Sequence, residues 1–302
     1  MQDKTAKKSK NNTVGKGEIP RTGIAAQIMQ VKINDAEFNR LVDFIHDNYG
    51  INLSQKRVLI EGRLGNELNK RGFKDYKSFL DMVFADQSGT EVVNLLNKLT
   101  TNHTYFRREP EHYAFMKDVW LPEIKQKNAA SKTIYIWSAA CSSGEEPYTN
   151  EIEMMEFFGA DAANWDTKIL ATDISRKVLA KAQQGVYHED SMKNLSPQVV
   201  KKYFVPLENN CYRVSDELKK RVVFKVFNLM DPIPYKKHPF DLIFCRNVMI
   251  YFDGDTKNAL VNRFYDVLAP GGYLFIGHAE SIPRDATNYE YVKPAIYRKP
   301  MK

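Results

Sequence analysis

The stretch Ile134–Thr149, IYIWSAACSSGEEPYT, decides the fold because it has the pattern of a buried strand, a loop of small side chains and the start of a helix. Small side chains let a backbone approach a ligand closely, and the first turn of a helix presents free N–H groups. A second strand, Lys168–Thr172, is followed at once by the carboxylate of Asp173. Together the two strand ends predict a site for a cofactor that contains adenosine.

Strand and helix signals alternate on both sides of this stretch, from about residue 131 to the C-terminus. Strands are predicted at Ile134–Trp137, Lys168–Thr172, Val222–Phe227, Phe240–Cys245, Tyr273–Gly277 and Ala295–Arg298. This alternation predicts an α/β fold, a doubly wound, Rossmann-like sheet that binds ligands at the carboxyl ends of its strands. Two short apolar runs around Glu208–Asn210 break the alternation and predict a small antiparallel β-hairpin inserted near residues 200–221.

Residues 32–100 have helical periodicity and predict a small all-α domain in front of the sheet. Asn34 and Glu37 have the spacing of a capping box, and Gly50 fits the end of the first helix. A second helix is predicted from about Ser54 to Arg71. Residues 101–130 are then a linker and helix that lead into a domain over residues 131–302.

The composition of the chain limits where the protein is expected to act and whether it is expected to bind a metal. The 302 residues carry a net charge of +7, and residues 1–31 are predicted to be a disordered basic tail. An apolar run long enough to span a membrane is missing, and the N-terminus has no secretory pattern, so a cytoplasmic location is expected. A monomer is expected as well. The three cysteines lack zinc spacing, so no metal is expected; they are Cys141, Cys211 and Cys245.

The loop Ser138–Gly144 lacks the glycine pattern of NAD-binding proteins, and Asp173 lies 29 residues after Gly144 rather than the usual 20 or so. Glu145 and Glu146 would repel a pyrophosphate, but they suit the cationic groups of S-adenosylmethionine. Each residue also has a purely structural explanation: the two glutamates favour the first turn of a helix, and Asp173 fits a helix N-cap.

Five motifs in order resemble the CheR family, the bacterial chemotaxis protein-glutamate O-methyltransferases. They are LTTNHTYFRREP (99–110), WSAACSSGEEPY (137–148), ATDI (171–174), FCRNVMIYFD (244–253) and GHAES (277–281). The resemblance covers about residues 32–298. It implies a class I methyltransferase sheet, S-adenosylmethionine as donor and S-adenosylhomocysteine as product. The implied acceptors are glutamates on the cytoplasmic methylation helices of chemoreceptors.

The resemblance also implies a set of residues around the cofactor and the transferred methyl group. They are Asn102, Thr104 and Arg108 from the interdomain segment, Glu145 near the methionyl portion, Asp173 at the ribose, Asn228 and Leu229 beside the adenine, and Arg246, Asn247 and Tyr251 at the methyl-transfer centre. Arg108 and Tyr251 are the catalytic candidates. The chain departs from the family pattern at Arg107, where a second phenylalanine is common, so the choice of Arg108 over Arg107 stays open.

The implied reaction needs little catalytic machinery. A glutamate side chain has a pKa of about 4.3, so it is already an anion at neutral pH and needs no general base. The enzyme has to align oxygen, methyl and sulfur and exclude water. Enzymes that methylate a base or amide nitrogen typically carry [DN]-P-P-[YF] where this chain has Cys245–Val248. Arg246 in that segment suits a carboxylate, so no nucleic-acid substrate is expected.

A basic stripe on the second predicted helix has two interpretations. Lys56, Arg63 and Lys70 are seven residues apart and fall on one face, which is either a solvated surface or a docking surface. By the resemblance this helix meets the receptor. In the family the inserted hairpin can dock a receptor pentapeptide, but here the loop Leu207–Cys211 is short and lacks glycine, so no pentapeptide tether is expected.

Two alternatives remain at this stage. In the same class, the acceptor is another acidic protein or a small carboxylate. In a different class, the chain is a catalytically silent CheR-like module that senses the cofactor or scaffolds a complex. The presence of Arg108, Glu145, Asp173 and Tyr251 argues against a silent module.

Overall fold

The computed structural model describes residues 31–101, 103–235 and 238–302, and residues 31–302 form one compact unit. The predicted tail therefore lies outside the described residues except for Val31, and so does Asn102. Within the described ranges, no helix has both the length and the apolar character needed to cross a membrane.

Four helices built around one apolar core make up the described part of residues 31–100. They are α1 (Asp35–Tyr49), α2 (Arg57–Lys70), α3 (Tyr76–Ala85) and α4 (Thr90–Leu99). The capping box predicted for α1 is present: Asn34 accepts from the Glu37 N–H, and Glu37 accepts from the Asn34 N–H. Helix α1 ends at Gly50, whose φ of 71° is a left-handed conformation that glycine adopts without strain.

The remaining described residues alternate helices and strands. The helices are α5 (Pro110–Phe115), α6 (Leu121–Lys127), α7 (Glu145–Phe158), α8 (Arg176–Gln184), α9 (Pro197–Tyr203), α10 (Asp216–Lys219) and α11 (Gly254–Val267). A π-helical turn (Met116–Trp120) and 3₁₀ turns (Gly159–Asn164, Glu189–Met192 and Met249–Tyr251) join them. The strands are β1 (Ile136–Ala139), β2 (Ile169–Asp173), β3 (Val186–His188), β4 (Phe204–Pro206), β5 (Cys211–Val214), β6 (Val222–Val226), β7 (Phe240–Cys245), β8 (Leu268–Ile276), β9 (Glu290–Lys293) and β10 (Ile296–Arg298).

The large sheet has the strand order β6-β2-β1-β7-β8-β10-β9. Strands β6, β2, β1, β7 and β8 are parallel, and β10 runs antiparallel to both β8 and β9. The chain order reverses between β1 and β7, which is where open α/β sheets bind ligands. Both of these strands are buried along their whole length, as expected for parallel strands covered on two faces.

The predicted fold class is confirmed, with two additions. The inserted subdomain contains the predicted hairpin, formed by β4 and β5, and a third strand, β3, pairs with the other side of β5. Strand β8 begins at Leu268 instead of Tyr273, because the backbone of residues 268–272 is already in strand conformation. Leu268 pairs with Phe240 and Tyr273 pairs with Leu242, so the register between β7 and β8 shifts between these two pairs.

Candidate active site

A pocket of about 1170 Å³, including its open mouth, lies at the carboxyl ends of β1, β2, β6 and β7. Its wall brings together eight of the ten residues that the sequence predicted at the site. They are Thr104, Arg108, Asp173, Asn228, Leu229, Arg246, Asn247 and Tyr251. Asn102 lies outside the described residues, and Glu145 does not line the pocket. The volume suits a ligand of the size of a nucleoside cofactor.

The loop of small side chains after β1 forms one edge of the pocket. Ala140 and Ser142 have φ values of 64° and 49°, and Gly144 has a φ of 94°. A Cβ atom on Gly144 would lie 2.8 Å from the Cβ of Ala182, so only glycine fits there. The small residues therefore form a tight turn with left-handed backbone conformations, and no large side chain separates this backbone from the pocket.

Asp173 is the last residue of β2 and faces this turn. Its two carboxylate oxygens each accept a hydrogen bond of 2.9 Å, one from the Ser142 N–H and one from the Ser175 N–H. Burial raises the pKa of Asp173, although these N–H groups oppose the shift. Ser175 is itself the N-cap of α8, so Asp173 does not occupy the cap position. A carboxylate offers about four lone pairs, which leaves acceptor capacity for a ligand.

The two neighbouring glutamates at the start of α7 have different surroundings. Glu145 lies behind the pocket wall, where its carboxylate accepts from the Ser143 hydroxyl at 3.0 and 2.7 Å. Glu146 lines the pocket, accepts from the Ser138 hydroxyl at 2.6 Å and pairs with Arg246 at 3.0 Å. Burial raises the pKa of both carboxyls. The structure thus places the second glutamate, not the predicted first, on the pocket wall, because successive helical side chains point about 100° apart.

Arg246 lies in the centre of a buried charge cluster, with 2% of its side chain exposed. Its five N–H groups donate to the Glu109 carboxylate, the Glu146 carboxylate, the Tyr113 hydroxyl and the Arg108 carbonyl. The guanidinium therefore has no donor left for a substrate carboxylate. Arg246 lines the pocket, where its side chain connects segments of the pocket wall, and its place at the methyl-transfer centre stays a prediction.

The two adjacent arginines point in different directions. Arg108 lines the pocket, and its guanidinium donates to the His103 carbonyl at 2.7 Å. Arg107 turns away from the pocket and forms an ion pair of 3.3 Å with Glu153, while its backbone N–H donates to Thr149 Oγ1. Of the two, the structure brings Arg108 to the pocket.

Tyr251 lies half-buried on the pocket wall at the end of a 3₁₀ turn. Its hydroxyl accepts from the Thr101 N–H at 2.9 Å. Thr101 belongs to the segment that leaves the helical domain, so this contact ties the two parts of the chain together beside the pocket.

Glu280 fixes the loop that carries Arg246, Asn247 and Tyr251, a role that the sequence did not reveal. Its buried carboxylate accepts from the N–H groups of Gly277 at 2.6 Å, Asn247 at 3.1 Å and Ile250 at 3.1 Å. Burial raises its pKa, with the three N–H groups opposing the shift. The motif GHAES contained the signal, but nothing local shows that its glutamate reaches back about thirty residues.

Glu109 was also missed, although it lies in the first motif, next to its last residue. Its carboxylate accepts from the Asn247 side chain at 3.1 Å and the His278 N–H at 3.2 Å, besides Arg246. Burial opposes the ionised form, but Arg246 and Asn247 outweigh it and lower the pKa of Glu109. Among the described residues, Glu109, His112 and His278 come close enough to resemble a metal site. However, both Glu109 oxygens are occupied and Arg246 lies 3.0 Å away, so the arrangement fits an ion-pair cluster better.

The predicted basic stripe lies on the outer surface, where Lys56, Arg63 and Lys70 are all exposed. Lys56 precedes the first residue of α2. Arg63 does not point freely into solvent: its guanidinium donates to the Lys98 and Thr100 carbonyls at 2.9 and 3.1 Å, where α4 ends.

The sheet order, the strand-end carboxylate and the pocket at the topological switch point define a doubly wound α/β protein with the site of a nucleotide-type cofactor. Comparison with known families narrows the class. Residues 102–297 match the family described as "CheR methyltransferase, SAM binding domain", and residues 36–100 match "CheR methyltransferase, all-alpha domain". The chain therefore belongs to the CheR methyltransferase family.

Relatives are similar over nearly their whole length. A "Chemotaxis protein methyltransferase" of Borreliella burgdorferi is 44% identical over 275 residues, which cover 90% of this chain and 96% of the relative. Proteins with the same description from Salmonella typhimurium and Escherichia coli are 37% and 36% identical. These matches cover 92% and 86% of this chain, and 95% and 90% of the relatives.

Proposed function

We propose that the protein transfers a methyl group from S-adenosylmethionine to glutamate side chains of chemoreceptors in the cytoplasm, giving glutamate methyl esters. The observation that supports this proposal is the pocket, which gathers eight of the residues implied by the family resemblance, among them the strand-end carboxylate of Asp173. The relatives described as chemotaxis protein methyltransferases support a methyltransferase that acts in chemotaxis.

The residues present fit S-adenosylmethionine. When bound, this cofactor supplies a methyl group on a positively charged sulfonium. Asp173 retains acceptor capacity for the ribose hydroxyls, and Asn228 and Leu229 follow β6, where they would flank the adenine. Glu146, Thr104 and the other polar residues of the wall would hold the amino-acid end, and Glu145 would support this wall from behind Ser143.

The chain has to position an acceptor that is already an anion. Arg108 lies on the wall, and Arg246, the other arginine there, is saturated by its own partners, so Arg108 is the guanidinium we assign to the acceptor carboxylate. Tyr251 lines the same pocket, with its hydroxyl bonded to Thr101 and its loop held by Glu280. Preorganised groups of this kind contribute by alignment and by excluding water.

The receptor would meet the outer face of α2 through Lys56 and Lys70. The β4–β5 hairpin contains the turn Glu208–Asn210, with Asn209 and Asn210 at φ values of 55° and 53°, and it has no glycine. We therefore propose recognition without a pentapeptide tether, by a monomer. Measurable binding of an NWETF-type peptide would contradict the tether-independent part.

Incubation with methyl-labelled S-adenosylmethionine and receptor cytoplasmic fragments tests the proposal. Label on the receptor that base treatment releases as methanol is the expected result, and fragments with their methylatable glutamates replaced by alanine are the control. Label in small molecules alone would point to a small carboxylate acceptor. Cofactor binding without any transfer would favour a silent module.

A further inference from the structure

The C-terminal end of α1 reaches the pocket, although none of the predicted cofactor-binding residues lies in this part of the chain. We call the segment His46–Leu53 the α1 corner. Within it, Tyr49 is the last residue of α1, and Tyr49 and Ile51 both line the pocket. The corner belongs to the helical domain, so the cofactor pocket is not built by the sheet domain and the linker alone.

Hydrogen bonds join the α1 corner to the two sheet-domain segments that flank the pocket. The side-chain amide of Asn228 donates to the Asn48 carbonyl at 2.8 Å. The Asn52 N–H donates to the Tyr251 carbonyl at 2.8 Å, and Ile51 pairs with Phe252 as an isolated β-bridge. The corner therefore touches both the predicted adenine side and the predicted methyl-transfer side.

Gly50 packs against the sheet domain without a gap. A Cβ atom at this position would lie 2.6 Å from the sulfur of Met230 and 2.8 Å from a methyl carbon of Thr256. Next to it, His46 Nε2 forms an ion pair of 2.6 Å with Asp253, the N-cap of α11. The corner is thus fixed in place by close contact and by a charge pair.

We infer that Tyr49 contacts the adenine of the bound cofactor, so that cofactor affinity depends on how the helical domain docks against the sheet domain. This inference rests on the proposed function, since it takes the pocket to hold S-adenosylmethionine. Asn228 and Leu229 define the adenine side, and Asn228 is bonded to the residue just before Tyr49. An aromatic ring in contact with a base is a common and strong element of base recognition.

Titration calorimetry with S-adenosylhomocysteine tests the inference on the full-length protein. Tyr49→Ala should weaken binding about tenfold, the usual size of a base–aromatic contact. Tyr49→Phe keeps the ring and should bind within about twofold of the wild type. Phe73→Ala is the matched control: Phe73 packs edge-on against Phe79 in the helical domain, with ring centroids 5.4 Å apart, and does not line the pocket. It should lower the melting temperature and leave affinity unchanged.

Two outcomes separate this inference from the function it rests on. Failure of the wild type to bind S-adenosylhomocysteine would overturn the proposed function and the inference together. Equal affinity of the wild type and Tyr49→Ala would overturn the inference alone.

Two further measurements test the inference even if the Tyr49→Ala variant does not fold. Hydrogen exchange of residues 46–53 in the wild type should slow when S-adenosylhomocysteine is added, and unchanged exchange would contradict the contact. Gly50→Ala removes no pocket side chain, but it strains the corner, because Gly50 has a φ of 71° and its Cβ would crowd Met230 and Thr256, so binding should weaken by several-fold. Wild-type affinity in this variant would show that docking and cofactor binding are independent.

Discussion

The buried cluster around Arg246 and the exposed face of α2 both carry positive charge, but they use it in opposite ways. Arg246 is 2% exposed, and each of its donors has a protein partner, because an unpaired charge inside the protein would cost several kcal/mol. Lys56 and Lys70 are exposed on the surface, where a partner can reach them. A basic residue in a family motif can therefore be a structural support, whereas plain surface lysines are the candidates for recognition.

Arg246→Met tests the buried cluster and should have the largest effect of the changes proposed here, a loss of folding stability. The change leaves Glu109 and Glu146 buried without their partner, which should lower the free energy of unfolding by about 3–5 kcal/mol. Lys70→Met, on the exposed face, should change it by less than about 0.5 kcal/mol. Urea denaturation measures both. Similar small losses in the two variants would show that the cluster is not the support described above.

Asp173→Asn should have the next largest effect, now on ligand affinity. Loss of the charged acceptor should weaken S-adenosylhomocysteine binding by about 10- to 100-fold, the range for hydrogen bonds to a charged group. Asp166→Asn is the control, because Asp166 pairs with Lys168 outside the pocket and should not affect binding. Titration calorimetry measures the affinity of each variant for S-adenosylhomocysteine. Wild-type affinity in Asp173→Asn would show that Asp173 does not bind the ribose.

The combined change Lys56→Glu and Lys70→Glu should reduce receptor methylation about tenfold at low salt and less at high salt, since exposed charges are screened. Cofactor affinity should stay at the wild-type value. Arg63→Glu is not a clean test of recognition, because it also removes two hydrogen bonds to the end of α4 and should lower stability. A parallel loss of methylation and cofactor binding in the lysine variant would contradict a separate docking face.

The pH dependence of the His46–Asp253 pair should be the smallest effect. The hydrogen bond to Asp253 raises the pKa of His46, against the opposing effect of burial. The stabilisation is therefore complete below the ordinary histidine pKa of about 6.5 and is lost as the pH rises through the folded-state pKa. Because the pair is partly exposed, it should contribute less than about 1 kcal/mol. In urea denaturation across this pH window, the free energy of unfolding of the wild type should fall as the pH rises, and that of His46→Gln should lack this part of the pH dependence. Identical pH dependence in the two proteins would contradict the role of the pair.

The sequence predicted the parts of the site that depend on local signals. The turn after β1 needed small residues, and Asp173 followed a strand, so both were visible from neighbouring residues. Arg108 and Tyr251 were expected near the pocket only through the resemblance to the CheR family, and both line it.

The sequence could not show which charges pair across the fold. Arg246 meets Glu109 across 137 residues, and Glu280 reaches back to Asn247 across 33. The choice between Glu145 and Glu146 depended on one step of helix rotation, which the sequence pattern does not resolve. Arg63 looked like part of a free basic stripe until its contacts with the end of α4 were visible.

Mapping the methylated atom on a receptor fragment by tandem mass spectrometry tests the central claim most directly. After incubation with the protein and S-adenosylmethionine, we predict one added methyl on glutamate side chains, removed by mild base, and much less of it with Asp173→Asn. A methyl group found on nitrogen atoms of the fragment, or no modification by a protein that binds the cofactor, would contradict glutamate O-methylation.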